Sequence, residues 1–251
     1  MKKIVILGST GMLGNSVASI FGKISDLEMS YSYRTKSIAR AKNSFYFDAV
    51  SSQLNVIPDC DYIINCIGVI KPFMNLNIEN SIYINSVFPH KLSKYCKDKG
   101  IKLIHITTDC VFSGSTGKYH ENSIHDCEDK YGKSKSLGEP KNCMVLRTSI
   151  IGEEIHKNAS LIEWVKSNEG GAINGFTNHM WNGVTTKHYG ELCVQIIRKD
   201  MHENGLFHIH SNEVSKYELL NMINNRFSLN IDITPIEAKK IDRTLASHLD
   251  L

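Results

Sequence analysis

Lys3-Ile4-Val5-Ile6-Leu7 runs without a break into Gly8-Ser9-Thr10-Gly11-Met12-Leu13-Gly14. The first five residues are a short apolar run suited to a strand buried on both faces. Past the glycines, Leu13, Val17, Ile20 and Phe21 recur at helical spacing. The chain therefore opens as strand, Gly-rich turn and helix. Glycines at such a turn let backbone N–H groups approach a pyrophosphate at the helix N-terminus. The spacing is G-x-x-G-x-x-G, not G-x-G-x-x-G, which points to one branch of dinucleotide binders. Gly8, Thr10, Gly11, Met12 and Leu13 are the residues expected to meet the cofactor.

The same alternation continues outward from this unit. Strands are expected at 3–7, 28–33, 44–47, 61–66, 101–107 and 143–147. A helix is expected over about 84–99, with Phe88, Leu92, Tyr95 and Cys96 as its stripe and Gly100 as its stop. Repeated βαβ units imply an α/β fold, a Rossmann-type doubly wound parallel sheet with ligands at the strand C-termini. Beyond residue 150 the rhythm loosens. Helices are expected from Leu161 to Val165, Thr186 to Ile197 and Ser215 to Ile223, the last opened by a capping box in Ser215-Lys216-Tyr217-Glu218. The division expected is a dinucleotide-binding domain over 1–151 and a small C-terminal substrate-binding lobe over 152–251, partly interleaved. Glu169 to Thr185, rich in Gly and Asn, reads as a loop and a substrate wall.

With 251 residues, 29 basic and 26 acidic, the chain carries a net charge of +3 and no run of like charge. Charge gives no support to nucleic-acid or membrane binding, and no apolar stretch is long enough for a membrane span. The N-terminus reads as the first strand, not a secretion signal. Seven cysteines without a C-x-x-C pair fit reduced thiols in a cytoplasm and no zinc or disulfide framework. His208-Ile209-His210 reads as one face of an alternating strand and not a metal pair, so no metal is expected.

Tyr131 stands four residues before Lys135, in Tyr131-Gly132-Lys133-Ser134-Lys135. On a helix these positions share a face, and a cation beside a phenol lowers its pKa towards the range of a proton donor. The turn Thr107-Thr108-Asp109-Cys110-Val111-Phe112 ends at the C-terminal edge of the sheet. There the Thr108 hydroxyl is placed to bond a substrate carbonyl oxygen while Tyr131 protonates it.

These segments, with Asn65-Cys66-Ile67-Gly68 and Val145-Leu146-Arg147-Thr148, stand in the order seen in extended short-chain dehydrogenases/reductases. More narrowly, the chain resembles the dTDP-4-dehydrorhamnose reductase group, through Gly205-Leu206-Phe207-His208-Ile209 and Asp242-Arg243-Thr244-Leu245 near its end. The resemblance implies a catalytic set of Thr108, Tyr131 and Lys135, with Lys135 also bonding the nicotinamide ribose. It puts Asp48 and Ala49 at the adenine, and Cys66, Ile67 and Gly68 where backbone passes the cofactor. It also implies a nucleotide-sugar substrate, with a homodimer as a candidate assembly. The second strand runs into Arg34-Thr35-Lys36, and a cation there suits a 2′-phosphate, so NADPH is expected over NADH.

Position 110 separates reactions within the family. Dehydratases carry Glu there and rhamnose-type reductases Tyr. GDP-fucose synthase carries Cys, which moves protons beside the 4-keto group. Cys110 is therefore either a proton-moving thiol in a combined 3,5-epimerase/4-reductase or a small packing residue. No partner histidine is fixed by the sequence, with His156 and His179 both in the right half. Lys71, Arg147, Asn178 and Trp181, beside His179 and Asn182, are substrate-side candidates, Arg147 either clamping a pyrophosphate or bracing loops. Ile150 replaces the reductase aromatic after Arg-Thr-Ser. The function expected is NADPH-dependent reduction of the C4 ketone of a nucleotide-activated 4-keto-6-deoxyhexose. The alternatives are the epimerase/reductase and a non-catalytic NADP-binding regulatory subunit, like that of methionine adenosyltransferase.

Overall fold

The computed structural model describes residues 1–35, 43–155 and 159–249. Lys36 and His156 lie outside the described residues. The first half alternates β1 (Lys2–Leu7), α1 (Met12–Phe21), β2 (Leu27–Tyr33), β3 (Ser44–Tyr46), β4 (Tyr62–Asn65), α2 (Ile78–Ile82), α3 (Phe88–Lys99), β5 (Lys102–Thr108), α4 (Lys130–Ser136) and β6 (Met144–Thr148). The second half adds β7 (Ile150–Ile151), α5 (Leu161–Lys166), β8 (Ala172–Phe176), β9 (His179–Trp181), β10 (Val184–Thr185), α6 (Thr186–Arg198) and β11 (Gly205–His208). It ends with β12 (Val214–Ser215), α7 (Lys216–Phe227), β13 (Asp232–Ile236) and β14 (Ile241–Asp242).

Seven strands form one sheet in the order β11-β6-β5-β4-β1-β2-β3, every neighbouring pair parallel. Strand order reverses between β1 and β4, and the crevice at that point is where such sheets take their ligands. Alternation along β1 supplies both faces of the core. Ile4 and Ile6 pack with Val17 and Phe21 of α1 and Tyr189 and Ile196 of α6. Val5 and Leu7 pack with Phe88 and Leu92 of α3. Thus α6 returns to the first layer and β11 joins the main sheet. A separate cluster, including Val165, Leu220 and Ile233, forms the core of the lobe.

Local chemistry sets several boundaries. Gly100 ends α3 in the left-handed region at φ 71°, as its position past the stripe predicts. Ser215 and Glu218 form the expected capping box, with Glu218 N–H donating to Ser215 Oγ at 3.1 Å and Ser215 N–H to Glu218 Oε2 at 2.7 Å. The helix expected from residue 84 differs: α2 and α3 are joined by a π turn over Tyr83–Val87 that turns Asn85 into the interior.

The Glu169–Thr185 segment is not a loop. It holds β8, β9 and β10, with Ile173 and Val184 buried. Gly175 is small for a reason, because a Cβ there would lie 2.8 Å from the Tyr217 ring. β8 pairs with β13, while β9 lies between β12 and β14.

Residues 241–249 form a strap across the loop after β5. Asp242 N–H donates to Gly114 O, Ala246 N–H to Tyr119 O and Ser247 Oγ to Glu121 Oε1. Asn182 holds the strap at both backbone groups of Leu245, donating to its carbonyl at 2.8 Å and accepting from its N–H at 2.9 Å. Leaving a buried backbone group unpaired costs about 1–3 kcal/mol. Asn182→Ala strands two, so a loss of roughly 2–4 kcal/mol in urea unfolding is expected. A loss under about 0.5 kcal/mol, the range of an ordinary surface substitution, would show that Asn182 does not hold the strap.

Candidate active site

The site is built where β1, β4 and β5 end side by side. At the first of these, Gly8 takes φ 77°, and a Cβ on it would lie 3.0–3.1 Å from Cys66 and Ile67. Gly14 is equally constrained, because a Cβ there would collide with the Gly8 carbonyl. Helix α1 is thereby seated directly on the turn. Gly11 caps it with no side-chain hydrogen bond, and no acidic residue lies in its first turn. Its leading N–H groups, from Met12 and Leu13 onward, are left to an anion. Ser9 and Ser32, which sequence reasoning missed, lock this turn to β2. Ser9 Oγ donates to Ser32 O at 2.7 Å and Ser32 Oγ accepts from Gly8 N–H at 2.8 Å.

Thr10 is half-buried beside the turn, and Arg34 is exposed just past the end of β2. The Asp48 carboxylate shapes its own turn, with Oδ1 accepting from Val50 and Ser51 N–H at 2.8 and 3.3 Å. Ala49 packs against the second core cluster. Past β4, Asn65 accepts from Ile67 N–H, while Asn85 accepts from Val69 N–H and donates to Val69 O. Two buried asparagines thus shape the Cys66-Ile67-Gly68 backbone. Burial pushes the Cys66 thiol up to about 12.

Helix α4 carries Tyr131 and Lys135, and Gly132 seats it. A Cβ at Gly132 would strike the Cys110 carbonyl and come within 2.8 Å of the Cys127 side chain. Asp129 caps the helix, accepting from Gly132 N–H at 3.0 Å. At its other end Gly138 abuts the Asn85 carbonyl. Ser86 Oγ donates to Ser134 O, and Asn85 donates to Ser134 Oγ. The helix is therefore fixed along its length by the loop after β5 and by the π turn.

Lys135 is buried and donates from Nζ to Ile106 O at 3.1 Å. A Cβ on Gly68 would lie 3.9 Å from Nζ, so the ammonium faces the cofactor loop. Burial lowers it to about 8. The Tyr131 phenol goes the other way. Burial raises it, the neighbouring Cys110 adds to that, and the Thr108 hydroxyl pulls it back. The expected lowering by Lys135 is not seen, because burial outweighs it. What the geometry gives is a phenol that keeps its proton at neutral pH. Thr108 Oγ1 donates to Asp109 Oδ1 at 2.9 Å and accepts from Cys110 N–H at 3.1 Å. The Cys110 thiol is pushed up to about 12 by burial and by Asp109, against weaker pulls from Thr108 and Arg243. It is a neutral thiol.

A cleft of about 310 Å³ opens beside Tyr131, lined also by Lys71, Met74, Asn75 and Asp129. Lys71 reaches it but pairs with Asp129 at 3.1 Å. Three other substrate-side candidates are turned elsewhere. Arg147 is a brace, not a pyrophosphate clamp. Four of its five N–H donors go to Glu139 (3.1 and 2.6 Å), His125 (2.7 Å) and His208 (2.8 Å). Burial and the Arg147 charge hold His208 down at about 4, a neutral ring that accepts from Arg147 while Nδ1 donates to Ala246 O. Asn178 spends its amide on Ala238, donating at 2.6 Å and accepting at 3.2 Å. Trp181 donates to Ser149 Oγ at 2.8 Å and packs on the core of the lobe. His179 is stacked on Phe176 and bonded to Lys239 O.

A Gly-lined helix N-terminus at the switch point, with a Tyr and a Lys one turn apart beside a threonine, defines an extended short-chain dehydrogenase/reductase. The family described as "RmlD substrate binding domain" matches residues 1–250, and the chain belongs to it. By fold and family it falls among the NAD(P)-dependent oxidoreductases. A methionine adenosyltransferase 2 subunit beta from Xenopus tropicalis is 25% identical over 251 residues, covering 91% of this chain and 73% of that one. A hypothetical dTDP-4-dehydrorhamnose reductase from Sulfolobus tokodaii shares the fold at TM-score 0.77 and 20% identity, over 97% of this chain and 91% of that one. The dTDP-4-dehydrorhamnose reductase of Bacillus anthracis, solved in complex with NADP, aligns at TM-score 0.74 and 17% identity, over 100% and 91%. Solved relatives of this fold carry either NAD or NADP. Among the described residues, no helix is long and apolar enough to cross a membrane.

The role of Arg147 is open to direct measurement. Glu139→Ala leaves its charge buried and unpaired, which costs roughly 3–5 kcal/mol. Guanidinium unfolding should show that loss, and the double change Glu139→Leu, Arg147→Met should recover most of it. An unchanged unfolding midpoint in Glu139→Ala would return Arg147 to the substrate candidates.

Proposed function

We propose that this chain reduces the C4 ketone of a nucleotide-activated 4-keto-6-deoxyhexose, with NADPH as the reductant. The observation that carries this reading is the grouping of Thr108, at the end of β5, with Tyr131 and Lys135 on a helix seated by Gly132. The residues present fit a dinucleotide: α1 offers uncapped N–H groups, and Gly8 and Gly14 leave room only for backbone. In this reading Gly8 to Leu13 hold its diphosphate, Asp48 and Ala49 flank its adenine, and Cys66 to Gly68 line its path. Lys135, with N–H groups beyond the one given to Ile106, holds the nicotinamide ribose. When bound, the nicotinamide supplies the hydride.

The chain's own residues do the rest. Tyr131 keeps its phenol neutral by burial and gives its proton to the C4 oxygen as that oxygen becomes basic. The Lys135 charge then favours the phenolate that is left. Thr108 holds the ketone oxygen, and the cleft beside Tyr131 takes the sugar, with Lys71 and Asp129 at its rim. Cys110 is assigned to packing, since a thiol that burial and Asp109 keep neutral is a poor base for removing a proton from carbon. A regulatory role without turnover is the second reading. It is favoured by the 25% identity to the methionine adenosyltransferase subunit.

Turnover separates the two. Wild type should oxidise NADPH in the presence of a keto-sugar nucleotide, and Tyr131→Phe should lower kcat by about two to four orders of magnitude with NADPH affinity nearly intact. An unchanged kcat in Tyr131→Phe would end the mechanism. Absence of turnover on a panel of dTDP-, UDP-, GDP- and CDP-keto sugars, with NADPH still bound, would favour the regulatory reading. Cofactor choice rests on Arg34. Arg34→Ala should weaken NADPH by roughly 1–3 kcal/mol in calorimetry and leave NADH nearly unaffected. Equal losses for the two would place Arg34 in loop support.

A further inference from the structure

A threonine hydroxyl has one proton to give and two lone pairs to offer. In Thr108 the proton goes to Asp109, at 2.9 Å, and one lone pair takes the Cys110 N–H at 3.1 Å. In that state Thr108 is an acceptor towards everything else. It has no proton for a ketone oxygen. Asp109 releases it only by carrying a proton of its own, because its O–H then donates to Thr108 Oγ1 across the same short distance. The Thr108 proton is then free to turn to the cleft.

The setting of Asp109 suits such a reversal. Its side chain is buried, and among the described residues no cation lies within ion-pair distance of it. Thr108 and Cys110 face it from its own loop. Tyr131, in turn acted on by Asp129, feels its charge from α4, and Arg243 acts on it from the strap. The Arg243 side chain is held by its Nε, which donates to Phe112 O at 2.9 Å. Burial raises the Asp109 carboxyl above its ordinary value, against the lowering by Thr108 and Arg243.

We propose that Asp109 is a positioning residue for ketone reduction: protonated, it converts the Thr108 hydroxyl from an acceptor into the donor that holds the substrate carbonyl. The inference rests on the reductase reading above. No bond to carbon is involved and no proton is consumed, since the proton on Asp109 only reverses one hydrogen bond.

The test is the pH profile of kcat/KM for ketone reduction by the full chain with NADPH. Wild type should fall by about tenfold per pH unit above the Asp109 midpoint. Asp109→Asn, whose amide donates to Thr108 at every pH, should be flat across that range. The shape of the profile is the readout, not its height. Arg243→Gln removes a charge that favours the carboxylate and should move the fall to higher pH. A second readout needs no turnover. In the protein without ligands, one ¹³C carboxyl resonance, identified by its absence in Asp109→Asn, should titrate above the ordinary carboxylate range, and higher still in Arg243→Gln. An unchanged fall in Asp109→Asn, or a resonance ionised throughout the active range, would overturn the role of Asp109 while the reductase stands. A wild type that reduces no ketone would remove the reductase reading, and this assignment with it.

Discussion

The buried guanidinium of Arg147 is the contact on which the rest depends. It lies on β6, between β11 and β5 in the main sheet, 1% exposed. A charge in that position must be neutralised and its donors satisfied, or the fold loses several kcal/mol. Glu139, just beyond α4, supplies the charge, while His125 and His208 supply acceptors from the segment before α4 and from β11. Each partner belongs to an element that shapes the site. Glu139 fixes the far end of the helix that carries Tyr131 and Lys135. His125 bonds Ser136 on that same helix, and His208 reaches the strap at Ala246. Phe112, under the guanidinium at 5.1 Å, stacks on Tyr119 and closes the loop after β5.

What the sequence made legible follows from range. The Gly8–Gly14 turn and the Tyr131–Lys135 pair are local patterns, and each carries its meaning within a few residues. The strands of the main sheet are apolar runs bounded by turns, and they too are read locally. Arg147, which the sequence leaves open between a clamp and a brace, and Asn178 are hard to read for the opposite reason. A single polar residue reads the same whether it faces a ligand or a partner, and the partners of Arg147 stand at 125, 139 and 208. The strands β8, β13 and β14 hid for a similar reason. Gly175 and Asn174 look like loop, and only the approach of Tyr217 and the pairing with β13 make a strand of that segment. Asp109 stood in plain view between Thr108 and Cys110, but its effect lies in the direction of one hydrogen bond, which no spacing shows.

Tyr131 and Cys110 illustrate how burial outweighs pattern. A lysine four residues away promises a phenol of lowered pKa, and a cysteine in the turn promises a base. In the folded chain the ammonium is turned to a carbonyl, and desolvation dominates both groups. The result is a pocket of neutral donors. That suits protonation of an oxygen that acquires charge, and it does not suit removal of a proton from carbon.

The strap over residues 241–249 adds an order in time. Lys135 leaves the ribosome well before Leu245, by roughly 5–20 s at ordinary rates of synthesis. Until then Arg147 has only Glu139 and His125, and the loop after β5 has nothing to close against. A nascent chain therefore has the first strands of the sheet before the contacts that close the edge beside the loop after β5.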